Sequence, residues 1–445
     1  MLQLNKIYNQ NCKEGMKLLP DNSISSIVTD PPYGLSKEPN IVEVLTNWLN
    51  NEEYIHNSKG FMNKDWDSFV PNPSIWKEAY RVLKPGGYLL CFAGTRTYDL
   101  MCISLRLAGF EIRDQIDWIF SQGFPKSMDI SKQIDKKFSA EREIIGEGKY
   151  FNRQPNGLVS CNVTGFSSEI GKRHGSNGYI TEPSTDEAKQ WSGYGTNLKP
   201  AHEPIIVSRK PLSEKTIVDN VLKWNTGGIN IDDCRVEYIE NDDPRIGKNY
   251  QHNAKAGLEI GNNKDNSSGE KQQLHNNQGR FPANIIMDED AGKILDLQSG
   301  ITKSGKVKEN KDAYEGKSNT GFLRGKSTLQ NQHGDTGGGS RFFKQCNYDD
   351  SDYEVINFMY CAKASKKERG EGNNHPTVKP LSLIKYLITL VTPPNGICLD
   401  PFEGSGTHAV SCEELGFDYI GFEMNKDYCD IAEKRLNNLL NNKNI

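Results

Sequence analysis

Ser26-Ile27-Val28-Thr29-Asp30-Pro31-Pro32-Tyr33-Gly34 restricts what this chain can become more than any other stretch. Ile27 and Val28 are β-branched and read as the end of a buried strand. The two prolines that follow have no backbone N–H and a restricted φ, so the strand stops there. What remains is a stiff tip with one carboxylate, free backbone carbonyls and one aromatic ring. Such a tip suits a planar heterocycle bearing an exocyclic amine. Asp30 and the Pro31 carbonyl accept the two amino hydrogens, and Tyr33 stacks on the ring face. A plain Pro-rich turn after a strand has the same letters, so the tip needs a second feature beside it.

That feature lies near the other end of the sequence. Ile397-Cys398-Leu399-Asp400-Pro401-Phe402-Glu403-Gly404-Ser405-Gly406-Thr407 joins a strand to a helix, and Glu423 closes the strand after it. Glycines at such a turn let a ligand approach the backbone, and an acid ending the next strand can bind ribose hydroxyls. The spacing Gly404-x-Gly406-x-x-Ala409 also fits a dinucleotide fingerprint. Charge argues against a dinucleotide, because Asp400 and Glu403 sit where a pyrophosphate would lie and would repel it. They suit a ligand with cationic groups. S-adenosylmethionine has a ribose, an adenine, a sulfonium and an ammonium, and no phosphate. Open parallel sheets bind ligands beyond the carboxyl ends of their strands, where strand order reverses. The strands ending at Asp30 and Asp400 are therefore expected to be neighbours.

The pattern between these points supports an α/β sheet. Strands are expected at Leu4–Tyr8, Ser23–Thr29, Tyr88–Ala93 and Gln115–Phe120, and helices at Cys12–Leu19, Pro73–Val82 and Tyr98–Ala108. Lys84-Pro85-Gly86-Gly87 closes the second helix, and residues 34–70 read as a mobile loop. After Ser121 the chain turns rich in Gly, Ser and Asn, with one strand at Glu203–Ser208. The alternation returns with helices at Leu381–Val391, Thr407–Leu415 and Asp427–Leu440 and strands at Gly396–Asp400 and Tyr419–Glu423. The organisation read from this is a catalytic half (1–120), a loop-rich insertion (121–202), a late sheet strand (203–212), a target-recognition region (213–354) and a donor-binding half (355–445).

At 445 residues the chain has room for roughly three domains, or for one large domain with insertions. Its apolar share of 35% and mean hydropathy of -0.68 are low for a uniformly compact globule. No apolar run approaches the roughly 20 residues that span a bilayer, and Met1-Leu2-Gln3-Leu4 lacks the core of a signal peptide. Ten cysteines occur without a C-x-x-C pair, so neither zinc nor a disulfide framework is indicated. A cytoplasmic protein without a metal or membrane partner is expected. Net charge is -4, yet residues 303–345 carry more bases than acids, and so do 362–385, which is compatible with a polyanion partner. Cys12 reads as a packed small side chain and Trp118 as core.

Asp30-Pro31-Pro32-Tyr33, followed far downstream by Asp400-Pro401-Phe402-Glu403-Gly404-Ser405-Gly406, resembles the amino-group (N6-adenine/N4-cytosine) DNA methyltransferases. The order, tip first and glycine loop last, is similar to their permuted β group. His375-Pro376-Thr377-Val378-Lys379-Pro380 fits the same group, as do Leu83-Lys84-Pro85-Gly86-Gly87 and Trp191 through Lys210. The resemblance implies a Rossmann-like, circularly permuted methyltransferase sheet with a large loop-rich target-recognition insertion. It implies that Asp30, Pro31, Pro32 and Tyr33 hold and stack a flipped base. Asn11, Cys12, Asp30, His375, Thr377, Lys379, Asp400, Phe402, Gly404, Ser405, Gly406, Thr407, Glu423 and Met424 would hold S-adenosylmethionine, with Thr377 and Lys379 near its methionine part. Two departures stand out: Asn11 where a Gly-Asp pair is common, and Phe120 where a lysine often follows. Asp at position 30 resembles the adenine-N6 subgroup more than the cytosine-N4 one. Double-stranded DNA is the implied partner, and a homodimer and a cognate restriction endonuclease stay open, as does a catalytically silent DNA-binding relative.

Overall fold

The structure, a computed structural model, describes residues 2–34, 36–57, 67–121, 127–147, 179–237, 279–303, 336–347 and 378–443. The chain divides into two compact units. One comprises Met1–Asn230, Asn284–Asp288 and Cys346–Ile445, and the other Ile231–Ala283 and Glu289–Gln345. In chain order the strands are β1 (Lys6–Asn9), β2 (Ile24–Thr29), β3 (Leu83–Phe92), β4 (Glu111–Ile119), β5 (Ile144–Glu147), β6 (Tyr179–Thr181), β7 (His202–Arg209), β8 (Ile285–Met287), β9 (Thr302–Lys303), β10 (Thr336–Gly337), β11 (Lys344–Gln345), β12 (Ile397–Asp400) and β13 (Asp418–Glu423).

The first unit is built on one sheet in the order β1-β13-β12-β2-β3-β7-β4-β8. Every pairing in it is parallel except those of β7, which runs antiparallel to both β3 and β4. Ile24, Ile27 and Val28 of β2, Leu89, Leu90 and Phe92 of β3, and Leu399 of β12 are buried. These are the near-continuous apolar runs of strands covered on both faces. The covering helices include Pro73–Val82, Tyr98–Leu107 and Leu381–Val391. Trp76, Met101, Leu105 and Leu387 point from them into the core. Arg81 closes the short helix Cys12–Lys17 from outside, donating to the carbonyls of Met16 (2.7 Å) and Leu19 (2.9 Å).

The sheet differs from the sequence expectation in three places. A helix at Ile41–Leu49 stands inside the stretch read as a loop, capped by the Asn40 side chain on Val42 N–H and anchored by buried Val44 and Trp48. β3 begins at Leu83, so Lys84-Pro85-Gly86-Gly87 lie within a strand and do not close a helix. Gly86 is at φ +79°, and a Cβ there would run into the Asn220 amide. β4 begins at Glu111 rather than Gln115, because its pairing with β7 extends to Arg209, which also bonds Glu111 Oε2 at 2.8 Å.

Residues 127–147 and 179–190 are tied by one carboxylate. Asp135 accepts from Ser184 N–H, Thr185 N–H, Thr185 Oγ1 and Arg142 Nη1 at 2.6–3.0 Å. The helix Ile217–Trp224 joins the sheet unit through Asn220, whose amide donates to the carbonyls of Pro85 (2.9 Å) and Thr226 (2.8 Å). In the second unit, Asp296 on the helix Glu289–Ser299 accepts from the backbone and hydroxyl of Ser340, and Arg341 stacks over Phe342 at 4.2 Å. Most of the basic stretch 303–345 lies outside the described residues. Among the described residues no helix is long and apolar enough to cross a membrane.

Candidate active site

β2 and β12 are adjacent and parallel, with Ser26 opposite Cys398 and Ile27 opposite Leu399. Both segments singled out in the sequence therefore end at the same edge of the sheet. Successive strands lead away from this pair in opposite directions, β13 and β1 on one side, β3 on the other. That is the switch point at which open α/β sheets bind ligands. Thr29 Oγ1 donates to Asp400 Oδ1 at 2.6 Å and locks the two strand ends together.

At the Asp30 tip, Gly34 turns the chain at φ +66°, with no room for a Cβ against the Val70 backbone. The buried Asp67 carboxylate accepts the N–H groups of Tyr33 (2.9 Å) and Gly34 (3.1 Å), and Thr97 Oγ1 donates to the Tyr33 carbonyl. Tyr33 Oη lies 2.8 Å from Asp30 Oδ1 and 3.0 Å from Glu203 Oε2. Lys379 Nζ lies 2.9 Å from Asp30 Oδ2 and 3.1 Å from Glu203 Oε2, above the rings of Tyr33 and Phe92. Burial raises the Asp30 carboxyl above its ordinary value, with Lys379 opposing and the Glu203 charge adding. Burial likewise holds the Tyr33 hydroxyl well above its usual range, so it stays protonated. Glu203 belongs to this site because β7 is antiparallel, which puts its first residues at the edge where its parallel neighbours end. Asp67 and Glu203 are missed from sequence alone. The signal for Glu203 is the strand start Glu203-Pro204-Ile205-Ile206 itself.

The glycine loop is shaped from below. Glu423 Oε2 accepts Gly404 N–H at 2.9 Å and its Oε1 accepts Asn425 N–H at 2.7 Å. Gly404, at φ +57°, leaves open space where a Cβ would stand. Gly406, at φ +86°, is pressed by the helix Lys426–Lys443, with a Cβ there falling 2.6 Å from Ala432 Cβ. Arg435 donates to Ser405 O (3.0 Å) and Thr407 Oγ1 (2.9 Å). Phe402 packs edge-on against Trp76 at 6.0 Å. Asp400 turns inward, accepting also from Phe402 N–H at 2.8 Å, and desolvation raises its carboxyl to about 8.

Glu403 corrects the sequence argument. Its carboxylate does not face a ligand: its side chain has 0% exposure and accepts from His408 Nδ1 and Ala409 N–H, both at 2.9 Å. Gly421 supplies the space, since a Cβ there would collide with the Glu403 carboxylate. Desolvation opposes a charged His408, but Glu403 outweighs it and holds the imidazole well above its usual value. The repulsion of a pyrophosphate assigned to Glu403 is thus spent on a buried ion pair.

Asn11 is the N-cap of the helix Cys12–Lys17, accepting from Lys13 and Glu14 N–H, and its amide reaches Met424 Sδ at 3.4 Å. It does the capping work of an aspartate without the charge. Cys12 is buried, with its thiol pushed up to about 12, and Trp118 is buried beside Phe120. Met424 is 62% exposed next to Glu423. Lys379, expected near the donor's methionine part, is bonded to Asp30 and Glu203. Pro31 is buried and Pro32 half-buried. His375 and Thr377 lie outside the described residues.

The edge thus combines the Asp30–Tyr33 tip with a glycine loop shaped by the Glu423 carboxylate. Among known proteins, M.HinfI of Haemophilus influenzae, a Type II methyltransferase, is 36% identical over 102 residues, 23% of this chain and 28% of its own length. M.HindIII from the same species is 47% identical over 73 residues, 16% of this chain and 24% of its own. These matched stretches span under a third of either relative. Among solved structures, the M1.HpyAVI–SAM complex covers 97% of this chain and 98% of its own, at 14% identity and a TM-score of 0.35. The cytosine-N4-specific PvuII DNA methyltransferase covers 97% and 85%, at 12% identity and a TM-score of 0.38. The family model described as DNA methylase, N6/N4 type, matches residues 24–434, nearly the whole chain, and the chain belongs to that family.

Proposed function

We propose that this protein transfers a methyl group from S-adenosylmethionine to the exocyclic amine of a base in double-stranded DNA, adenine N6 being the acceptor. The observation that carries the reading is the pairing of β2 with β12, which sets the Asp30 tip beside the Gly404–Glu423 loop. The loop fits the donor on chemistry: Glu423, at the end of the next strand, suits a ligand with ribose hydroxyls, and Gly404 gives its backbone room for a close approach. Asn11, Phe402, Gly404, Ser405, Gly406, Thr407, Glu423 and Met424 would line its site. When bound, the donor supplies a methyl group already activated on a sulfonium.

The chain's own task is alignment and charge. Holding two reactants in line is worth on the order of 7–11 kcal/mol of barrier. The acceptor amine is a weak nucleophile because its lone pair is delocalised into the ring. Accepting its hydrogens on Asp30 and the Pro31 carbonyl favours a pyramidal nitrogen and stabilises the positive charge that grows there. The ring of Tyr33 offers a face for the base, which must leave the duplex at a cost of a few kcal/mol.

The test uses unmethylated duplex DNA, labelled S-adenosylmethionine and nucleoside analysis by mass spectrometry. N6-methyladenine formed by the wild type and absent with Asp30→Ala supports the reading. N4-methylcytosine would move the acceptor to cytosine, and label in RNA or protein alone would overturn the DNA assignment.

A further inference from the structure

We infer that Glu203 is a positioning residue of the acceptor site, the second carboxylate that keeps Asp30 a strong enough base to accept the amine's hydrogens. The inference rests on the amine-methylation reading above.

The geometry is a closed ring of four side chains. Lys379 Nζ bridges Asp30 Oδ2 (2.9 Å) and Glu203 Oε2 (3.1 Å), and Tyr33 Oη bridges Asp30 Oδ1 (2.8 Å) and the same Glu203 oxygen (3.0 Å). Only one hydrogen sits on Tyr33 Oη, so the two carboxylates compete for it. Were Glu203 absent, the Lys379 ammonium would no longer be shared with this second carboxylate and would bear more fully on Asp30. That ammonium would neutralise the charge meant to meet the developing cation, and the tyrosine hydroxyl would donate to Asp30 alone. With Glu203 present, two carboxylates share that ammonium and that hydroxyl, so less of either falls on Asp30 and a surplus of negative charge stays there. The Lys379 side chain is 10% exposed and the two acids about a quarter, so these charges are only partly screened.

The chemistry uses that surplus. The amine lone pair forms the N–C bond to the methyl carbon as the C–S bond breaks, its electron pair staying on sulfur. The nitrogen is left cationic with one hydrogen too many, and Asp30 stands where that proton can be taken. A better base takes it more readily. Several groups bear on Asp30: Tyr33 on its own tip, Glu203 from β7, Lys379 from the segment before Leu381–Val391, the Cys91 thiol on β3 and, through Thr29, Asp400 on β12. Asp67 acts from behind the Tyr33 backbone. Of these, Lys379 lowers and Glu203 raises the Asp30 carboxyl.

The experiment compares wild type, Glu203→Gln and Glu203→Asp in full-length protein, measuring kcat and KM for methyl transfer to duplex DNA from pH 5 to 9. Calorimetric S-adenosylmethionine binding serves as the folding check. For Glu203→Gln the expected result is a kcat plateau about tenfold or more lower, with KM for DNA and donor within about twofold. The midpoint of the acid limb should move to lower pH, because the charge that raised Asp30 is gone. Glu203→Asp restores the charge and should return the midpoint toward wild type. An unchanged plateau and midpoint, a loss carried by KM alone, or a midpoint moving upward would each overturn the role of Glu203. A wild type that transfers no methyl group to DNA overturns the underlying reading instead.

Discussion

Asp30 acts through its neighbours, and its own removal should be the most damaging single change. Asp30→Ala would delete the carboxylate proposed to face the amine, so methyl transfer should fall at least about 100-fold with donor binding retained. Single-turnover transfer with labelled donor reads this directly. Because burial raises the Asp30 carboxyl, and the active form is the ionised one, wild-type activity should rise with pH through a midpoint above the ordinary carboxylate value. The glycines separate in the same way. Gly406→Ala meets Ala432 at a left-handed φ and should cost about 2–4 kcal/mol in denaturant unfolding. Gly404→Ala meets nothing closer than the Phe402 carbonyl at 4.0 Å and should cost about 1 kcal/mol, from φ alone. Asp30, Tyr33 and Glu423 were legible in the sequence because their chemistry sits at strand ends beside prolines or glycines. Glu203 was not, because nothing local says that β7 runs backwards. Glu403 misled for a related reason: its partner His408 and the room made by Gly421 are visible only once the helix has formed.

Elements with caps and continuous apolar runs were readable, and those held by one distant polar group were not. The helix Thr407–Leu415 is bounded by left-handed glycines at Gly406 and Gly416, and Leu381–Val391 is almost wholly buried, so both follow from pattern. The helix Ile41–Leu49 buries only Val44 and Trp48 and hides in a polar stretch, its start held by the Asn40 side chain. Residues 127–147 and 179–190 are held together by Asp135, whose carboxyl is lowered to about 2: desolvation opposes, and the hydrogen bonds from Ser184, Thr185 and Arg142 prevail. A lowered acid stabilises the fold above its unfolded value near 3.8 and loses that contribution as pH falls toward 2. Asp135→Asn should therefore expose 127–147 and 179–190 to hydrogen exchange at neutral pH, while wild type should reach the same state only on acidification. Equal protection in the two proteins at pH 7 would remove Asp135 from this role.

At the scale of the whole molecule, the sheet was inferable and the role of the insertion was not. Alternating strands and helices at both ends imply one open sheet, whereas a Gly- and Asn-rich insertion offers no periodicity to read. The local excess of bases in 303–345 still makes a prediction. DNA affinity should fall at least about tenfold between about 50 and 200 mM salt, measured by fluorescence anisotropy on duplex DNA. A flat response would detach those bases from DNA binding.

The hydroxyl of Thr29 and the carboxylate of Asp400 meet across 371 positions of chain. A ribosome therefore finishes the Asp30 tip long before it makes the strand that must lie against it. β12 and β13 then have to slot between β1 and β2, which are already synthesised, so the sheet's first two strands must be held apart or reopened to admit them. Chemistry is thereby tied to completion: a truncated product holds half a cleft, and only the full-length chain can close the circuit.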